Sequence, residues 1–144
     1  MVGYKIACGL FCLRRQKMNS QNPKILIVED ENIIALDIRS MLEDLGYLVS
    51  GIVSSGEESI QRASKIKPDL VLMDIKLKGS IDGLKAGEEI YKQFQIPIVY
   101  LTAYSDKATI KRIISRRNGN PSIVINKPFD EGELCTVISS TLAH

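Results

Sequence analysis

At 144 residues, with 44% hydrophobic and 25% charged side chains, the chain has the size of one domain that buries a substantial core. Its formal charge of +2 conceals an asymmetry: residues 1–23 hold Lys5, Arg14, Arg15 and Lys17 and no acid, leaving 15 basic and 17 acidic groups beyond them. So balanced a body gives no support to nucleic-acid binding by the domain itself, and no apolar run approaches the roughly 18 residues of a membrane span.

Cys8, Cys12 and Cys135 have no CxxC spacing. They suggest neither a disulfide framework nor a zinc site, and fit reduced thiols of the cytoplasm. The apolar stretch 6–13 runs into Arg14 and Arg15 instead of a cleavage site, unlike a signal peptide. Residues 1–23 end in a polar, non-periodic segment and read as a flexible leader, in part non-native, with Met18 as an alternative start; residues 24–144 read as the domain.

From Lys24 the pattern alternates. A strand is predicted over 24–28, then a helix over 31–45 with Ile34, Ile38, Met41, Leu42 and Leu45 on one face. Gly46 suits the position just past a helix end. A strand over 47–53 and a helix over 56–66 follow, the latter stopping before Pro68. The next strand, 69–73, leads through a long loop with Gly79 and Gly83 as its flexible points. The helix beyond carries Leu84, Ile90, Tyr91 and Phe94. Strand 97–101 opens on a proline, as a first strand residue can. A basic helix over 106–117, a strand over 122–126 and a helix over 130–142 complete the series. Five strands, each followed by a helix, predict an α/β fold: an open, doubly wound parallel sheet covered on both faces.

In such a sheet the ligand site lies beyond the carboxyl ends of the strands. Glu29, Asp30, Asp74, Thr102 and Lys127 therefore converge at one edge. Three clustered carboxylates repel one another unless protonated or joined by a cation, and Mg2+ favours oxygen ligands. Asp74 is then the candidate nucleophile toward a phosphoryl group, with Lys127 supplying positive charge and Thr102 a hydroxyl. Taken singly, each has a plainer explanation. Glu29 and Asp30 suit a helix start, Thr102 can bond backbone, and Lys127 can be a surface lysine. The joint placement favours the site.

Four ordered segments strengthen that reading: Ile25-Leu26-Ile27-Val28-Glu29-Asp30-Glu31, Pro68-Asp69-Leu70-Val71-Leu72-Met73-Asp74-Ile75-Lys76-Leu77, Pro97-Ile98-Val99-Tyr100-Leu101-Thr102-Ala103-Tyr104 and Asn126-Lys127-Pro128-Phe129. Together they resemble the receiver domain of two-component response regulators and hybrid histidine kinases. The resemblance implies a flavodoxin-like sheet in the order 2-1-3-4-5. It also implies that Asp74 accepts a phosphoryl group from a sensor histidine kinase or phosphotransfer protein, with no chemistry beyond the chain's own phosphorylation and hydrolysis. By the same resemblance Asp30 and Asp74 hold Mg2+, Glu29 assists, and the Lys76 backbone carbonyl completes the protein ligands. Thr102 becomes the switch hydroxyl and Lys127 the phosphate-binding lysine, joined to Pro128 by a cis bond.

Two segments depart from the family. Val124 occupies the place of the usual switch aromatic, and residues 116–122 differ from the usual small-residue turn. The basic helix 106–117, strand 5 and the last helix form the family's output face, a candidate homodimer surface; a solvated face is the plainer reading of the charge. An interaction protein that has given up phosphorylation is the rival, weakly favoured by Val124. A dinucleotide enzyme would need G-x-G-x-x-G after strand 1, and an aspartyl phosphatase a carboxylate at Lys76. A single-domain regulator, a relay and a receiver cut from a hybrid kinase stay open.

Overall fold

Short apolar runs build the sheet because alternate side chains meet a helical layer on each face. The structure, a computed structural model, describes residues 22–103, 107, 108, 111 and 123–143. In chain order the described elements are β1 (Lys24–Val28), α1 (Asn32–Asp44), β2 (Leu48–Val53), α2 (Gly56–Ile66), β3 (Leu70–Asp74), α3 (Gly83–Phe94), β4 (Ile98–Ala103), β5 (Ile123–Lys127) and α4 (Glu131–Leu142). All four strand pairings are parallel. The order is β2-β1-β3-β4-β5, which makes the fold flavodoxin-like.

The two periodicities divide the core. On one face Ile25, Ile27, Leu70, Leu72, Val99 and Leu101 pack on α1 and α4 through Ile38, Leu42, Leu134 and Ile138. On the other, Leu26, Val28, Val71, Met73, Ile98 and Tyr100 pack on α2 and α3 through Ala63, Leu84, Ala86 and Ile90. β1 and β3 are central, and Ile25–Val28 and Leu70–Met73 are wholly buried. Each such aliphatic side chain contributes roughly 1.5–3 kcal/mol of burial free energy.

Helix starts follow local chemistry. Ser55, Asp82 and Asp130 each accept a backbone N–H three residues on and so cap α2, α3 and α4. Gly46 follows the end of α1 with φ of 91°, a conformation that favours glycine.

Several boundaries differ from expectation by one or two residues. β4 starts at Ile98 because Pro97 has no N–H for the ladder, yet its carbonyl still accepts Val71 N–H at 3.1 Å. β4 and β5 run on to Ala103 and Lys127, so Thr102 and Lys127 stand inside strands. Gly83 is no flexible loop point. It is buried as the first residue of α3. Cys135 is wholly buried in the first core, its Sγ 3.8 Å from the Ser139 hydroxyl; Cys8 and Cys12 lie outside the described residues. So do residues 1–21 of the leader and most of the helix expected over 106–117, of which 107, 108 and 111 are helical. Among the described residues no helix is long and apolar enough to cross a membrane.

Candidate acidic site at the carboxyl edge

Because β1 and β3 are neighbours in register, with Val28 beside Met73, their carboxyl ends deliver acids to one point. Glu29 leaves β1 with its N–H bonded to the Val53 carbonyl at 3.0 Å, and is 1% exposed. Its Oε2 accepts the Glu31 N–H at 3.3 Å. Asp74, 7% exposed, is the last residue of β3, and Asp30 is half-buried. One carboxylate oxygen from each of Glu29, Asp30 and Asp74 lies within 4.8 Å of the others.

Lys127 enters from β5. Its Nζ lies 2.8 Å from Glu29 Oε1 and 3.5 Å from Asp74 Oδ2. The tighter partner is thus Glu29, whose side chain is fully buried and least able to find water. Thr102, 3% exposed, follows Leu101, the residue paired with Asp74 across β3 and β4. Asn126 pairs with Thr102, and Lys127 with Ala103. The Lys76 N–H donates to Asp74 Oδ1 at 3.3 Å, and the Lys127–Pro128 bond is cis.

Electrostatics separate the two buried acids. Burial, the hydrogen bond with Glu29 and that residue's charge push Asp74 up to about 7, against the opposing pull of Lys127 and the Lys76 N–H. Burial would also raise Glu29, but its bonds with Lys127 and Asp74 and the lysine charge hold it below its ordinary value. Burial would lower Lys127, yet the two carboxylates raise it. One ammonium compensates one buried carboxylate and leaves Asp74 as the strained member. This all-oxygen donor set fits a hard divalent cation of the magnesium type.

Val124, half-buried, pairs with Tyr100 across β4 and β5 and packs on the second core. Tyr100 is wholly buried; its hydroxyl donates to the Leu84 carbonyl at 3.4 Å, and its ring lies against Gly87. Such a ring is a core residue, not a substitute for the missing aromatic. Tyr104 lies outside the described residues.

Two features escaped the sequence reading. A groove of about 320 Å³ beside the acids is lined by Ile34, Asp37, Met41, Lys127 and Phe129, and Ile33 and Leu36 of α1 are 85% and 57% exposed. Apolar residues off the buried stripe of α1 were the available signal. The second is Glu57, whose carboxylate is bonded to Ser80 and Ile81.

With this geometry the comparisons agree. Residues 25–139 match the family model for the response regulator receiver domain. The chain is 36% identical to the phyllosphere-induced regulator PhyR of Methylorubrum extorquens, over 83% of this chain and 43% of that protein. It is 36% identical to the transcriptional regulatory protein PdtaR of Mycobacterium tuberculosis, over 84% and 57%. The chain thus spans about half the length of these curated relatives. Among solved structures, the signal receiver domain of a modulated diguanylate cyclase from Desulfovibrio desulfuricans is similar, with a TM-score of 0.76 and 32% identity over 85% of this chain and 95% of that one. The receiver domain of Erythrobacter litoralis PhyR gives 0.72 and 31%, over 85% and 91%. On fold, sequence and the acidic cluster alike, the chain belongs to the response regulator receiver domain family.

Proposed function

We propose that residues 24–144 form a phosphoacceptor receiver in which Asp74 takes a phosphoryl group from a sensor histidine kinase or phosphotransfer protein in the cytoplasm. The observation that carries the reading is the approach of Glu29, Asp30 and Asp74 to within 4.8 Å, with Lys127 3.5 Å from Asp74. Asp30 and Asp74, with Glu29 assisting and the Lys76 carbonyl, would hold Mg2+, which when bound offsets the negative charge of carboxylate and phosphoryl group. Asp74 must shed its proton to attack. Its oxygen then forms the bond to phosphorus as the phosphorus–nitrogen bond to a donor histidine breaks and the imidazole leaves.

Lys127 already lies within ion-pair reach of Asp74, and its mobile ammonium suits a phosphoryl oxygen. Thr102 would donate its hydroxyl to another. Exposed Ile33 and Leu36 on α1, the helix whose Ile34 and Met41 line the apolar groove, favour a donor that presents its histidine on a helix. The chain would then act as a switch for partner binding, with no substrate turned over beyond its own acyl phosphate.

Incubation with acetyl phosphate and magnesium, followed by mass spectrometry, tests this. The wild type should gain one phosphoryl group on Asp74, Asp74→Asn none, and Asp30→Asn should bind magnesium more weakly. A phosphoryl group on Glu29 or a serine would sink the assignment, and an unmodified wild type would favour an interaction protein that has abandoned phosphorylation.

A further inference from the structure

The loop 75–82 after Asp74 reads from its lysines and glycines as a solvated connection, but it is tied down at three places. At its base, Gly83 N–H donates to the Ile75 carbonyl at 2.8 Å. Along its length Ile75, Leu77 and Ile81 pack on the second core. At its tip a single oxygen, Glu57 Oε1 in the first turn of α2, accepts three hydrogen bonds: Ser80 N–H at 3.0 Å, Ser80 hydroxyl at 2.6 Å and Ile81 N–H at 3.0 Å. The backbone is shaped to meet it. Gly79 has φ of 122°, and a Cβ there would sit 2.9 Å from Glu57 Oε2.

These bonds, the Ser80 hydroxyl first among them, draw Glu57 down to about 2, so the carboxylate stays ionised throughout the neutral range. The clamp lies at the surface, where such contacts add little to global stability. What it restrains is conformation: the peptide of Lys76, whose N–H reaches Asp74, precedes Ser80 by only four residues.

We infer that Glu57 is a positioning residue for the acidic site, holding the loop so that the Lys76 peptide faces the carboxylate cluster. This rests on the proposed cation site. Outer residues that orient a ligand set typically matter about tenfold or more in metal affinity.

Magnesium titrations of wild type, Glu57→Ala and Glu57→Gln, with amide hydrogen exchange at Ser80 and Ile81, test it. Glu57→Ala should raise the magnesium Kd about tenfold and speed exchange at both amides. Glu57→Gln keeps an oxygen acceptor and should restore most of both. Should Glu57→Ala fold poorly, Ser80→Ala removes only the hydroxyl donor and should shift the Kd the same way. An unchanged magnesium Kd in the alanine variants overturns the inference, even if they melt lower. So does a Glu57→Gln variant as impaired as Glu57→Ala. A wild type that binds magnesium with this Glu57 dependence, yet is never phosphorylated on Asp74, would defeat the proposed function and leave the clamp standing. A wild type that binds no magnesium defeats both.

Discussion

Asp74 sits where burial and a like charge outweigh one ammonium, and that imbalance gives metal-free stability a definite pH dependence. The unfolded residue ionises near 3.8 and the folded one near 7, so between those values the folded protein binds more protons. Its stability must fall as pH rises through that window and level off above it. Glu29, shifted downward, adds stability that is lost only as pH falls below its ordinary range, and so does not mask the trend. In Asp74→Asn the fall should vanish: urea midpoints in EDTA should place the variant progressively above wild type from pH 5 to pH 8. Parallel profiles would show that Asp74 ionises normally. At this scale the acids, Thr102 and Lys127 were legible because each polar residue closes an apolar run. Their pairing was not, since no pattern along the chain says that Lys127 meets Glu29 at 2.8 Å before Asp74 at 3.5 Å. Glu57 was illegible for a similar reason: its partners lie 23 and 24 residues away.

At the scale of elements, the junction from β3 to α3 decides where Asp74 points. Gly83 is needed there for closeness, not for an unusual φ: a Cβ on it would run into the backbone carbonyl of Asp74. Backbone cannot step aside as a flexible side chain can. Gly83→Ala should therefore cost on the order of 2–3 kcal/mol, seen as a lower urea midpoint, and should weaken magnesium binding as Asp74 is displaced. A variant as stable as wild type would show that the junction can relax. The sequence marked this glycine only as a point of loop freedom, because glycine in a loop looks the same whether it supplies flexibility or permits contact. Helix and strand existence was readable from periodicity and caps. The ends were less so, as with β4, where a register set by neighbouring strands carries the element past Leu101 to Ala103.

For the whole molecule, the parallel layered sheet follows from alternation, while the strand order rests on the likeness to receivers; both agree with the observed β2-β1-β3-β4-β5 arrangement. What remains is how a change at Asp74 reaches a distant surface. A ligand shifts a conformational equilibrium only through its differential interaction with the two states. A ring swinging inward as the switch hydroxyl moves would add to that difference, but β5 offers Val124, too short to fill the space. Its register partner Tyr100 is already locked in the core against Gly87 and bonded to the Leu84 carbonyl. On the proposed reading, coupling would then fall to Thr102 and Lys127, at the carboxyl ends of β4 and β5. Beryllofluoride with magnesium, a mimic of the phosphoryl group, should shift amide resonances strongly at Asp74, Lys76 and Thr102. It should shift those of Ile123–Asn126 and the outer face of α4 much less. Val124→Tyr should widen the response along β5 if a ring is the missing element. Wild-type shifts along β5 and α4 as large as those beside Asp74 would show that this sheet transmits without the aromatic.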